Sequence, residues 1–334
     1  MRPGAPRQKR WVVREGDGGT IAEILRRAGE GERAVDEGRV FLGRKRVTRG
    51  TEVVRPGDEV RIGGAGPAAG AWSVIWEREG LVACFKPAGM PTVADHVGAS
   101  HALVALAAEA VGRSAGEMFV TSRLDREVSG VVVFATTPEA EARLRTAREE
   151  GRYTRRYVAI ATGAATRALE IDSLINVDKH DRNDQCDQPN QRINVWNVPI
   201  GDGIDPRHRA ALGPDAKAAE TRWAVVARAG GFSLLAVEPQ TGRTHQIRIH
   251  ASHAGVPLLG DRDYGGPTRT TLPDGRVIAL SRIALHAARV SVPGLHGELL
   301  VAEAPVPAEL VRAWTDLGGA SEAWDTAVSC AFGR

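Results

Sequence analysis

The run GGAGPAAG at residues 63–70 constrains this chain most, because it offers almost no side chain from which a core could be built. Its composition is that of a linker. It divides 334 residues into a short N-terminal unit and a much longer C-terminal one, as the length also suggests. Residues 1–10 read as a basic tail, 11–64 as a compact unit, 65–72 as the linker, 73–320 as the main domain and 321–334 as a second tail.

Charge differs on the two sides of that linker. Residues 1–64 carry 15 Lys and Arg against 10 Asp and Glu, a balance of +5 within a chain whose net charge is +3. The excess points to a polyanionic partner at the N-terminal unit. Within it, Thr20 and Glu23 have the spacing of a capping box, followed by Ile21, Ile24, Leu25 and Ala28 at helical intervals and by Gly29 as a stop. A second short helix is expected at 32–37. A strand, a glycine turn and a basic strand follow at 38–48, and the turn RPGD at 55–58 leads into an alternating strand at 59–62. Arg39, Arg44, Lys45, Arg46 and Arg49 fall within eleven residues. Any one of them reads as surface charge, but together they suit phosphate contacts.

The larger unit offers strand candidates at 81–85, 131–135, 157–161, 234–237 and 290–292, with helices expected at 101–111 and 139–150. Strands outweigh a regular strand–helix alternation, so the expected class is α+β with a largely antiparallel mixed sheet and flanking helices. Residues 175–205 are rich in Asn, Asp and Gln and read as a surface insertion. No apolar run is long enough to cross a bilayer, and no signal peptide is expected. Cys84, Cys186 and Cys330 lie far apart, which favours reduced cytoplasmic thiols over a metal pair or disulfide framework. His180, Asp181, Asp184, Cys186 and Asp187 match no standard metal spacing, so no metal is expected.

Three segments carry candidate chemistry. Asp125 lies in TSRLDREVSG (121–130), where a loop aspartate alone reads as a turn former. Tyr157 begins a strand candidate. In TGRTHQIRIH (241–250), an extended reading of 245–250 puts Ile247 and Ile249 on one face and Gln246, Arg248 and His250 on the other. Arg248 then projects into a site and needs an acidic partner, for which Asp125 is the natural candidate.

These segments, with KPAG (86–89), YVAI (157–160), AKAAET (216–221), GDRDYG (260–265) and LHA (285–287), resemble the RluA family of RNA pseudouridine synthases over most of residues 73–305. The N-terminal unit resembles the S4 RNA-binding domain over about 45 residues. The resemblance implies a pseudouridine synthase fold behind a small α/β S4-like domain. It also implies conversion of uridine to pseudouridine in structured RNA, with ribosomal RNA of the large subunit expected first and transfer RNA second. Asp125 corresponds to the family's catalytic aspartate, acting at ribose C1′, at base C6 or through a glycal. Tyr157 would stack on the uracil and help remove the C5 proton, and Arg248 would hold the aspartate as an anion. Arg123 would fill the space left by the flipped nucleotide, while Arg243 and His245 would support the site. His245, His250 and His286 are expected to be structural rather than directly catalytic. No cofactor is implied, and a cytoplasmic monomer is expected. The chain departs from the common pattern at Ser122, where relatives often have His, and at Val128, where they often have Thr. Neither departure removes a catalytic group, but Ser122 and the 175–205 insertion bear on which RNA is used. A non-catalytic RNA-binding assembly factor is the competing reading. A metal nuclease built on Asp125 and Asp263 is a third, but nothing in the sequence places those two carboxylates together.

Overall fold

The computed structural model describes residues 9–17, 19–31, 33–36, 40–43, 45–47, 49–62, 72–94, 102–163, 192–202, 209–213 and 215–332. In the N-terminal unit, β1 (Lys9–Val12) precedes α1 (Ile21–Arg27), α2 (Arg33–Asp36), β2 (Val40–Leu42), β3 (Lys45–Arg46) and β4 (Glu59–Ile62). The Thr20 hydroxyl accepts from Glu23 N–H and the Glu23 carboxylate accepts from Thr20 N–H, so both halves of the expected capping box form. The four strands order β1-β4-β2-β3, all antiparallel, and bury Ile21, Ile24 and Leu25 against Val40, Val60 and Ile62. Lys45 and Arg46 lie in β3 and Arg49 is exposed, whereas Arg39 and Arg44 lie outside the described residues.

The larger unit begins with the hairpin of β5 (Ser73–Arg78) and β6 (Leu81–Lys86), followed by α3 (Leu103–Ala110), β7 (Phe119–Val120), β8 (Ser129–Ala135), α4 (Pro138–Glu149) and β9 (Thr154–Thr162). Next come β10 (Asn194–Trp196), β11 (Ile200–Asp202), β12 (Arg209–Ala211), β13 (Thr221–Ala229), β14 (Phe232–Pro239) and α5 (Gln246–His253). The chain closes with β15 (Arg269–Thr271), β16 (Val277–Ala279), β17 (Leu285–Pro293), β18 (Leu299–Glu303), α6 (Ala308–Asp316) and α7 (Ala323–Ser329).

The main sheet runs β10-β13-β14-β9-β17-β8-β6-β5, with β7 and β18 added beside β8 and β17. Among the described residues every pairing in it is antiparallel except β17 with β8. All seven residues of β8 are buried, as an apolar strand covered on both faces requires. Alternation along the strands separates the two faces. Tyr157 and Ala159 of β9 pack in a cluster with α3 and α5, whereas Val158 and Ile160 pack with α6 and α7.

One crossing places the site. Gly130 pairs with Ala287, which in turn pairs with Tyr157. A Cβ on Gly130, whose φ is +129°, would lie 2.3 Å from Ala287 O. Only glycine lets β8 approach β17 this closely, so the loop before β8 is drawn to within one strand of Tyr157.

Three expectations need correction. Residues 245–250 are not extended: His245 caps α5, and Gln246 to His250 are its first turns. A five-residue alternation cannot separate a strand from a wholly buried helix, and here residues 246–251 are all buried. The segment 321–334 is not a tail, because α7 packs on β14 and β9 and Trp324, Cys330 and Phe332 are buried. The end of the expected 175–205 insertion is part of the sheet: β10 pairs with β13, and Trp196 stacks on the buried Trp223 with ring centroids 4.7 Å apart. Residues 175–191, with His180, Asp181, Asp184, Cys186 and Asp187, lie outside the described residues, as do 203–205.

Candidate active site

Asp125 sits in the loop between β7 and β8, and both of its neighbours are tied to the loop after β6. Leu124 N–H donates to Thr92 Oγ1 at 3.1 Å, and the same hydroxyl donates back to Leu124 O at 2.8 Å. Arg126 O accepts from Gly89 N–H at 2.7 Å and from Lys86 Nζ at 3.2 Å. Lys86 is fully buried and also donates to Met90 O at 2.7 Å and Pro87 O at 3.1 Å. Burial, helped by the Arg282 charge, pulls its pKa down to about 7. The backbone on either side of Asp125 is thereby fixed, while its carboxylate stays about a quarter exposed.

Arg248 holds that carboxylate from α5. Its side chain is 5% exposed and faces three aspartates. Nε and Nη2 donate to the two oxygens of Asp261 at 2.8 and 2.7 Å, Nη2 also to Asp263 Oδ2 at 3.0 Å, and Nη1 to Asp125 Oδ2 at 3.0 Å. Exposure separates the three. Asp261 is fully buried and engages the guanidinium through both oxygens, so it is the structural counterion. Asp263 lies half in solvent. Asp125 is bound through one oxygen only, and Oδ1 faces the cleft with no hydrogen bond among the described residues. Burial works against the Arg248 cation, but the Asp261 hydrogen bonds and the Asp125 charge outweigh it and raise its pKa.

The helical form of α5 explains why His245 joins them. Residues three apart on a helix share a face, so His245 and Arg248 both look toward Asp125; in a strand they would point oppositely. His245 adopts a left-handed backbone, φ 57°, and its Nε2 lies 3.8 Å from Asp125 Oδ1. Burial lowers its pKa, which leaves the ring neutral at pH 7. Its Nδ1 is 2.8 Å from Tyr264 Oη, and the Arg248 guanidinium lies 4.8 Å from the Tyr264 ring centre. Gln246 fixes the turn before the helix, since its Oε1 accepts from Thr241 Oγ1 at 2.7 Å and from Arg243 N–H at 3.0 Å. His250 is satisfied at both nitrogens, by Thr221 Oγ1 and Val198 O at 2.9 Å each.

These groups surround one cleft of about 620 Å³, lined by Asp125, Tyr157, Arg248, Arg123, Arg243 and His245 among others. All six main-domain residues expected at the site therefore meet there. Tyr157 is 7% exposed, and burial pushes its phenol up to about 12, so it stays protonated at neutral pH. Arg123 and Arg243 are exposed at the rim. Among the described residues, no basic residue of the N-terminal unit lines the cleft. Asp125 and Asp263, which nothing in the sequence placed together, do meet, but they meet on the Arg248 cation, which stands where a nuclease would need its metal. Among the described residues no group of three or more His, Cys, Asp or Glu side chains is arranged to hold a metal ion. Lys86, Thr92, Asp261, Asp263 and Tyr264 received no supporting role from sequence. The stretches 86–89 and 260–265 were the available signal, but short Gly-Asp loops carry no mark of burial.

The sequence model of RNA pseudouridylate synthases matches residues 80–253, more than half of the chain and the segment holding Asp125, Tyr157 and Arg248; the chain belongs to this family. Among curated relatives, ribosomal large subunit pseudouridine synthase D of Haemophilus ducreyi is 32% identical over 200 residues, covering 58% of this chain and 54% of that protein. An uncharacterized RNA pseudouridine synthase of Zymomonas mobilis is 30% identical over 236 residues, covering 70% of this chain and 91% of the relative. The chain thus spans about half the length of the D-type relative, 54%, but nearly all of the other, 91%. Human RNA pseudouridylate synthase domain containing 4 shares the fold with a TM-score of 0.52 at 19% identity, covering 74% of this chain and 93% of that one. Domain containing 1 does so with a TM-score of 0.50 at 20% identity, covering 72% and 86%.

Proposed function

We propose that this chain isomerises uridine to pseudouridine in structured RNA, with large-subunit ribosomal RNA as the first candidate and transfer RNA as the second. The observation that carries the reading is the half-held carboxylate of Asp125, with one oxygen on Arg248 and the other facing a cleft that also contains Tyr157. The D-type relative is named for ribosomal RNA, which favours that substrate.

The chemistry conserves atoms and electrons. The N1–C1′ bond breaks, C5 bonds to C1′, C5 loses a proton and N1 ends protonated. No redox equivalent is needed. Asp125 Oδ1 is the group placed to act on the electrophilic sugar or base carbon, and Arg248 holds the carboxylate in place through its other oxygen. Tyr157 enters as a neutral phenol, so its first role is to pack against the uracil; removing the C5 proton would need the phenol to be activated in the complex. Arg123, exposed beside Asp125, is placed to hold the duplex open once the nucleotide is flipped, which costs a few kcal/mol. Lys45, Arg46 and Arg49, with Arg39 and Arg44, would add sequence-independent affinity through the N-terminal unit as an S4-like module.

Pseudouridine mapping of cellular RNA tests this, comparing strains with the gene, without it, and complemented by Asp125→Asn. One or more positions should lose pseudouridine without the gene and stay unmodified with the variant. Full modification by Asp125→Asn would sink the mechanism. The RNA class in which the position falls decides between ribosomal and transfer RNA.

A further inference from the structure

The cleft has a second charged feature, contributed by α4 and β9. Arg148 of α4 and Arg155 of β9 both lie over the ring of Tyr153, with guanidinium carbons 5.1 and 5.9 Å from its centre. Both arginines line the same cleft as Asp125. Neither has a carboxylate within ion-pairing distance among the described residues. Their hydrogen bonds go to main-chain carbonyls instead, Arg148 to Thr121 and Arg155 to Thr241 at 2.7 Å and Pro239 at 3.3 Å. Four other buried or half-buried arginines of this unit do have carboxylates: Arg156 has Glu238, Arg143 has Glu79, Arg282 has Glu309 and Arg248 has three aspartates. Arg148 and Arg155 differ from these four in having main-chain carbonyl partners, and both line the cleft.

The surroundings fix the orientation of both guanidiniums. The Tyr153 hydroxyl is 3.1 Å from Ser122 Oγ, which ties the ring to the loop that carries Asp125. The carbonyls of Thr121 and Thr241 hold one edge of each guanidinium. Gly242 lies beside the other edge of Arg155, where even a Cβ would reach 3.5 Å from Nη1. Two like charges held over one ring repel each other, and carbonyl dipoles only partly offset that. A monovalent oxyanion in the cleft would relieve it. Tyr153 is itself 6% exposed, so its ring is closed to a base and the subsite takes charge rather than a stacked nucleobase.

We infer that Arg148 and Arg155, set by Tyr153, bind a backbone phosphodiester of the RNA next to the flipped uridine. This rests on the RNA-modifying reading above and deepens it. Asp125 acts at the centre of the cleft, while the two arginines fix the strand on one side of it. Ser122 belongs to this subsite through Tyr153, so the departure at that position alters how the neighbouring phosphate is held.

The test is the salt dependence of RNA binding, measured in the full chain carrying Asp125→Asn so that the substrate is not consumed. The probe is deproteinised ribosomal RNA from a strain lacking the gene, with transfer RNA from the same strain as the alternative probe. Arg148→Gln combined with Arg155→Gln should lower the slope of log affinity against log salt by about 0.7 to 0.9, the value for one lost phosphate contact, and each single change should lower it by part of that. Arg148→Lys and Arg155→Lys should keep the slope, because they keep the charge. Melting curves identify any Gln variant that fails to fold, and the other position then decides. Unchanged slopes in folded Gln variants that still bind RNA overturn the phosphate subsite and leave the functional reading standing. If the parent chain binds neither RNA, the functional reading falls, and the subsite with it.

Discussion

Two buried polar networks flank the same short stretch of chain, and only one of them opens to the cleft. At Asp125, a carboxylate, an arginine and a histidine meet two further aspartates. Four residues on, Ser129 Oγ lies 2.7 Å from His286 Nδ1 and accepts from Arg282 Nη2 at 2.8 Å, while Arg282 Nη1 donates to Glu309 at 2.9 Å. The second set holds a serine beside a histidine, the pairing of a nucleophile and its base. It is nevertheless closed. Ser129 and His286 are fully buried, and His286 Nε2–H donates to Ala304 O at 3.2 Å, so both ring nitrogens are satisfied. Ser129, His286, Arg282 and Glu309 are all missing from the cleft wall, although the neighbouring Leu285 reaches it. Residue types do not separate the two networks. The difference is a polar atom left unpaired toward a cavity, which Asp125 Oδ1 supplies and Ser129 does not.

The sharpest way to break the comparison is to neutralise the open member. Asp125→Asn should lower the rate of pseudouridine formation by about 10⁴-fold or more, with a melting temperature close to wild type, since Asp261 and Asp263 still compensate Arg248. Single-turnover assays alongside thermal melts check both halves. Asp261→Asn should do the reverse, costing about 3 to 4 kcal/mol of stability by removing the bidentate counterion of a buried cation. Activity falls with it as Arg248 turns toward Asp263. Urea denaturation measures this, and a loss below about 1 kcal/mol would mean that Asp125 and Asp263 hold the arginine by themselves.

Local patterns predicted what local forces decide. The capping box at Thr20, the helix at Pro138–Glu149, and strands β6, β8, β9, β14 and β17 all form where sequence put them, because their apolar spacing matches the face they bury. Asp125 and Arg248 were paired in advance by the cost of leaving a buried arginine alone, and they are 3.0 Å apart. The secondary structure behind that pairing was wrong. In α5 the polar residues Gln246, Arg248 and His250 are buried by partners contributed from β13 and the loops at 198, 241 and 261. Such long-range satisfaction leaves no periodicity to read. Asp261 was missed for the same reason, as was β10, whose Trp196 was visible but whose stacking partner is Trp223.

The closed network gives two smaller effects. Burial pulls the His286 pKa from 6.5 down to about 4. The native state therefore stays unprotonated while the unfolded chain gains a proton below about pH 6.5, so this group costs stability as pH falls from 6.5 toward 4. The difference is about 3 kcal/mol across that window. His245 and His250 shift in the same direction and add to the loss. His286→Gln keeps a donor toward Ala304 but cannot titrate. Its stability should therefore fall less than wild type between pH 7 and pH 4 in paired urea melts. Parallel curves would show that His286 titrates normally and that its cavity admits water.

Ser129→Ala is the mildest change and the most direct probe of what separates the two networks. It removes the hydroxyl that His286 Nδ1 and Arg282 Nη2 share, and it leaves two buried groups short of a partner. The expected cost is about 1 to 2 kcal/mol of stability. Asp125 is untouched, because its loop is held from the other side by Thr92, Gly89 and Lys86. The rate of pseudouridine formation at a temperature well below melting should therefore stay within about twofold of wild type. A rate loss comparable to that of Asp125→Asn would make Ser129 and His286 part of the chemistry and erase the distinction between open and closed. A stability loss with the rate intact would confine the reaction to the network whose carboxylate oxygen faces the cleft.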